Sequence, residues 1–123
     1  MISCIFVGIG GFIGSICRYL IGLIPIKAQS GFPFKTFAIN IVGAFVIGLI
    51  AALAMKNKSL NPNVVLMLKV GVCGGFTTFS TFAYETADLI HSGKWGVALC
   101  YALGSAVLGV LAVFGAQLLT RSI

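Results

Sequence analysis

Four long apolar stretches separated by short polar punctuation set the frame of this chain. The first runs from about Ile2 to Ile24, interrupted only by Arg18, and stops before Pro25. The second runs from about Thr36 to Met55, the third from near Val64 to about His91, and the fourth from about Trp95 to Leu119. About 20 predominantly apolar residues suffice for a helix to cross a bilayer core, so each stretch predicts one transmembrane helix. Between them lie Gln29-Ser30-Gly31 with the aromatic pair Phe32-Pro33-Phe34, the loop Lys56 to Asn63, and the turn Ser92-Gly93-Lys94. The pattern predicts an all-α integral membrane protein of four transmembrane helices, forming one domain over residues 1–123.

The third stretch departs from the pattern at Gly74-Gly75-Phe76-Thr77-Thr78-Phe79-Ser80-Thr81-Phe82. Paired glycines and paired threonines are poor material for an uninterrupted helix. The expectation is a third helix broken at mid-membrane, which lipid tolerates only where protein or a water-filled cavity satisfies the freed backbone groups. Such breaks are a common way to build ion sites.

Composition agrees with the membrane reading. The chain is 59% hydrophobic and 8% charged, with mean hydropathy +1.13, where soluble domains carry about 25% charged residues. Without a positive n-region at Met1-Ile2-Ser3-Cys4-Ile5, the first apolar segment is expected to be retained. The net charge of +6 comes from basic residues scattered singly, which suits helix ends at the membrane surface and argues against a nucleic-acid partner. Cys4, Cys17, Cys73 and Cys100 show no C-x-x-C spacing, and His91 is the only histidine, so redox or zinc chemistry has no basis. No H-E-x-x-H, G-x-S-x-G or P-loop is present, and the chain does not read as an enzyme.

Charge also bears on topology. With four spans, Lys56, Lys58, Lys69 and Arg121 fall on one side, and Arg18, Lys27, Lys35 and Lys94 on the other. Equal numbers give the positive-inside rule nothing to act on. Copies inserted both ways could pair about a two-fold axis in the membrane plane, as an antiparallel homodimer of dual topology surrounded by lipid. Small-xxx-small pairs (Gly10 with Gly14, Ala44 with Gly48, Gly71 with Gly75, Ser105 with Gly109) mark faces where helices can approach closely.

Several residues could carry chemistry. Asn40 is the one strongly polar side chain of the second span; its amide serves either a helix-helix hydrogen bond or an anion in a pore, and Thr36 shares its face. Phe79 and Phe82 lie three apart on one face, either as packing rings or as ring edges turned to an anion. Ser80, Thr81 and Tyr84 add hydroxyls to the same half-helix. Carbonyls near Gly74 and Thr77 lose helical donors at the break, and either water or a cation such as Na⁺ would satisfy them. Glu85 and Asp88 share a face, and an ion pair with Arg18 is expected, although a lone arginine near a vestibule also concentrates anions.

Three blocks carry a resemblance: Gly10-Gly11-x-x-Gly14-x-x-x-Arg18-Tyr19, then Pro33-x-x-Thr36-x-x-x-Asn40, then Gly74 to Phe82 followed by Glu85-Thr86-x-Asp88. Across nearly its whole length the chain resembles the Fluc (CrcB-like) family of fluoride ion channels. The resemblance implies a multi-pass protein of a prokaryotic plasma membrane, working as a dual-topology antiparallel dimer with two pores that export fluoride passively. It implies Phe79, Phe82 and Asn40 at fluoride, Ser80 and Thr81 as a hydroxyl track, and Tyr101 and Ser105 on the pore side of the last helix. It further implies a structural Na⁺ on the Gly74 and Thr77 carbonyls, and Arg18 near the vestibule. This chain has Gly109 where some members carry a second serine. The competing reading, a proton-coupled exporter of the small multidrug type, needs a carboxylate in the first helix, and this chain has none there.

Overall fold

Each apolar stretch becomes a helix, and turn chemistry sets where each one ends. A computed structural model describes every residue, Met1–Ile123. Helix α1 (Ile2–Gly22) stops three residues short of Pro25, and α2 (Phe34–Lys56) starts directly after Pro33. The third span, Pro62–His91, is composite: α3 (Pro62–Leu66), a π-helical stretch (Met67–Val72), α4 (Cys73–Phe76) and α5 (Phe79–His91). Helix α6 (Trp95–Ser122) completes four helices long and apolar enough to cross a membrane. Asn61 caps α3 by accepting from the Asn63 N–H, with Pro62 in the first turn where its missing donor costs nothing. Helix α5 ends in a Schellman motif: Gly93 adopts φ 75°, its N–H reaches the Ile90 carbonyl at 3.0 Å, and Lys94 N–H reaches Leu89 at 2.8 Å.

The glycine pairs of α1 and the third span, each marked as a packing face, meet each other. A Cβ on Gly71 would stand 2.7 Å from the Val7 carbonyl oxygen, and one on Gly75 would stand 2.6 Å from that of Gly11. Reciprocally, a Cβ on Gly10 would meet the Gly71 backbone at 2.9 Å. These two spans therefore touch backbone to backbone, the close approach that gives packing energy in lipid. On the other side of the molecule α2 lies along α6, with Gly48 against Val113 and Ala116. Within the chain Gly109 faces open space, and Val113 and Ala116 supply the α6 side of this contact.

Only 14 of the 123 residues are buried, and large apolar side chains from Ile2 to Leu119 stand exposed along all four spans. Such a surface is untenable in water and normal in lipid, where apolar burial between helices gains little. The one cluster of buried side chains, Leu89, Ala98 and Tyr101, joins α5 to α6. Phe32 from the α1–α2 loop covers it, edge-on to Tyr101 at 5.4 Å between ring centres.

Candidate ion site at the interrupted third span

Two extended residues interrupt the third span. Thr77 (φ −77°, ψ 159°) ends α4, and Thr78 (φ −151°, ψ 116°) precedes α5. The second threonine earns its place as an N-cap: its Oγ1 accepts from the Thr81 N–H at 3.2 Å. Its backbone is held from outside the span, by α2. Asn40 Oδ1 accepts from the Thr78 N–H at 2.8 Å, and Asn40 Nδ2 donates to the Thr78 carbonyl at 3.1 Å. One amide side chain thus replaces both backbone bonds that a continuous helix would have given this residue.

The clamp decides which carbonyls stay free. Thr78 N–H would close the turn onto Gly74 in an α-helix, so its capture by Asn40 leaves the Gly74 carbonyl without that donor. The Thr77 carbonyl accepts no backbone hydrogen bond. The Gly75 carbonyl is taken by Arg18 Nε at 3.0 Å. That contact corrects the expected Arg18–Glu85 ion pair. Glu85 instead accepts from Thr36 Oγ1 at 2.8 Å and from Tyr101 OH at 2.7 Å, one hydroxyl per carboxylate oxygen. Two close neutral donors satisfy the carboxylate, and the arginine serves the broken helix end, which carries partial negative charge.

Two cavities flank the break. One, of about 330 Å³, is bounded by Asn40, Gly43, Cys73, Gly74, Thr77 and Phe79. The other, of about 490 Å³, lies between α1, α2 and α5 and brings Arg18, Lys35, Thr36, Thr78, Thr81 and Glu85 together. The first therefore offers neutral amide, carbonyl and ring groups, and the second offers two cations with hydroxyls around a single carboxylate.

A family model described as "CrcB-like protein, Camphor Resistance (CrcB)" matches residues 5–117. The chain belongs to the CrcB family. It is 45% identical over 121 residues to the "Fluoride-specific ion channel FluC" of Chlorobaculum tepidum, covering 98% of this chain and 96% of the relative. The protein of the same description from Chlorobium phaeobacteroides is 43% identical over 117 residues, 94% and 91% of the two chains. That from Agrobacterium fabrum is 40% identical over 124 residues, 100% and 99%. Four apolar helices and membership in this family make the chain a multi-pass membrane protein, and the relatives are named for a channel rather than an enzyme.

The residues singled out in the CrcB-type pattern distribute around the break as follows. Phe79 is 79% exposed at the mouth of the smaller cavity, while Phe82 is half-buried, 5.7 Å from Phe79 and 5.0 Å from Tyr101 between ring centres. Thr81 joins the larger cavity, and Thr78 Oγ1 donates to its Oγ1 at 3.0 Å. Ser80 is exposed, with its Oγ 3.4 Å from that of Thr78. Tyr101 is fully buried with its proton committed to Glu85. Ser105 Oγ is buried and has no hydrogen-bond partner. Asn40 faces the break's backbone, the helix-helix use of its amide, with one N–H still uncommitted. Sequence reasoning missed the part played by Thr78 and the joining of Thr36 to Glu85. An acid within a membrane-spanning segment, which must find a partner, was the available signal for the latter.

Proposed function

We propose that this chain is a fluoride-selective channel, carrying fluoride passively out of the cell across a prokaryotic plasma membrane and so limiting its toxicity. The relatives' common name supports the ion. The observation that carries the reading for this chain is the break itself, where Asn40 fixes Thr78 and leaves Phe79 exposed beside an amide and free carbonyls. Fluoride is smaller than the ions whose transfer into a low-dielectric medium costs on the order of 20 kcal/mol in the idealised limit, so its shell must be replaced almost completely. The positive edges of Phe79 and Phe82 and the remaining Asn40 N–H replace part of that shell without a full counter-charge that would trap the ion. Ser80 and Thr81 continue the path as hydroxyl donors, and the buried Ser105 hydroxyl is free to join them from α6. Arg18 concentrates anions at the entrance.

The break lies at mid-membrane in this reading, and the working form is a dual-topology antiparallel homodimer embedded in lipid. Equal numbers of basic residues on the two sides support it, as does the exposure of Phe79, which a second copy would cover. A Na⁺ ion between the copies fits the donor set. The Gly74 carbonyl has lost its helical donor and the Thr77 carbonyl accepts no backbone hydrogen bond, and unwound backbone carbonyls are suitable ligands for Na⁺. The ion would supply positive charge that ties the two chains together.

The test is ion efflux from liposomes holding only the purified chain, with fluoride and chloride compared. Fluoride efflux far above chloride, without need of a proton gradient, is expected. Equal rates, or strict dependence on a proton gradient, contradict the reading. Cysteine-accessibility labelling in cells is expected to find both orientations; a single orientation rules out the antiparallel dimer.

A further inference from the structure

Away from the interrupted span, α2 and α6 end together and enclose a separate cavity of about 460 Å³. Lys56, the last residue of α2, and Arg121, in the last turn of α6, line it with Gln117, Thr120, Ala52 and Met55. No acidic residue borders it. Lys56 Nζ makes one long contact, 3.4 Å, to the Thr120 carbonyl, and the Thr120 hydroxyl turns back on its own helix to Ala116 at 2.8 Å. The ammonium keeps two of its three donors, beside a guanidinium fork and a carboxamide.

Basic residues at helix C-termini have a plain electrostatic explanation, since each terminus carries about half a negative charge. Two termini amount to roughly one negative charge in all, and two full cations exceed it. The surplus sits in a concave site rather than on an open face. The structure assigns this cavity to the phosphodiester headgroup of an anionic phospholipid. A phosphodiester carries one negative charge and oxygens that a guanidinium can bind in bidentate fashion, with the ammonium as a second point of attachment. The depth is right: the residues lie at the ends of two spans, where headgroups sit, and Ala52 and Met55 give the cavity an apolar wall. Outside it, Leu118 and Leu119 are exposed to acyl chains. A lipid supplies the anion and the apolar surface in one molecule, whereas a free phosphate ion uses only the cations.

The site is tested on the full chain, purified in neutral detergent and titrated with phosphatidylglycerol or phosphatidylcholine, with adducts read by native mass spectrometry. Two surface cations acting together predict a preference for phosphatidylglycerol on the order of thirtyfold. The Lys56→Gln/Arg121→Gln double variant is expected to lose that preference. Lys56→Arg/Arg121→Lys should retain most of it, and Lys27→Gln, on the loop at the other end of the spans, all of it. Gel filtration of each variant as an undisturbed single species separates loss of the site from loss of the fold. Equal binding of the two lipids by the unaltered chain overturns the assignment, as does full retention of the preference in the Gln double variant. Competitive displacement of phosphatidylglycerol by millimolar inorganic phosphate also overturns it, in favour of a free-phosphate site.

Discussion

The two halves of the third span are built on opposite terms. Up to Phe76 the span packs on α1 through the absence of side chains: Gly71 and Gly75 admit the backbone of Val7 and Gly11 at distances no Cβ tolerates. From Phe79 onward it packs through side chains, with Phe82 on Tyr101 and Glu85 holding the hydroxyls of Thr36 and Tyr101. The break is therefore a boundary between a half that must be bare and a half that must be furnished. Asn40 stands on that boundary and belongs to neither half, since it reaches the backbone of Thr78 from α2. The difference teaches that close backbone packing on α1 and the proposed fluoride contacts of Phe79 and Phe82 fall on different halves of one span.

The largest effect is expected at the boundary. Asn40→Leu leaves the Thr78 N–H and carbonyl without their partner, at about 1–3 kcal/mol for the buried donor alone. Both thermal stability and fluoride flux should fall, and a variant losing only one of them would show that the halves are not joined there. Gly75→Ala comes next: its Cβ meets the Gly11 carbonyl oxygen, so α1 and the third span must separate, at ~1–3 kcal/mol. Its melting temperature should drop, while flux per folded molecule falls less than in Phe82→Ile, since the Arg18 contact to the Gly75 carbonyl is the ion-site feature it disturbs. Phe82→Ile should do the reverse, slowing fluoride by up to roughly tenfold with the assembly intact. Tenfold is the upper end if a ring edge is worth about as much to the ion as to another ring, ~0.5–1.5 kcal/mol, with 1.4 kcal/mol tenfold in rate. The smallest effect is expected for Thr78→Val, which removes the cap of α5 but keeps the Asn40 clamp, at about 1 kcal/mol of stability.

Much of this was legible in the sequence for physical reasons. Four apolar stretches each long enough to span leave little choice of architecture. Thr77-Thr78 after Gly74-Gly75 marks the break and Gly93 marks the end of α5, both through local backbone chemistry, whereas the Asn61-Pro62 cap reads as loop and α3 starts ahead of the expected Val64. The glycine pairs of α1 and the third span were legible as close-packing faces because only small residues permit such an approach. What stayed hidden depends on three-dimensional placement. The π-helical stretch at Met67–Val72 has no distinct residue pattern, and apolar residues lie on every side of α2 and α6, so Gly48 marked a face of α2 but its partners Val113 and Ala116 on α6 could not be read. Arg18 and Glu85 made an ion pair on paper because opposite charges in lipid attract. In the fold, the Gly75 carbonyl lies nearer to the one and two hydroxyls nearer to the other. Asn40 was recognised as important without its partner, which is backbone and leaves no mark in side-chain identity.

The separation of the two halves is tested most directly by the fluoride efflux rate per folded molecule, measured side by side for Phe82→Ile and Gly75→Ala in liposomes. The expected result is a loss approaching tenfold in Phe82→Ile and a clearly smaller loss in Gly75→Ala. Full fluoride efflux in Phe82→Ile with loss in Gly75→Ala would place the fluoride contacts in the bare half of the span and contradict the role of the Phe82 ring.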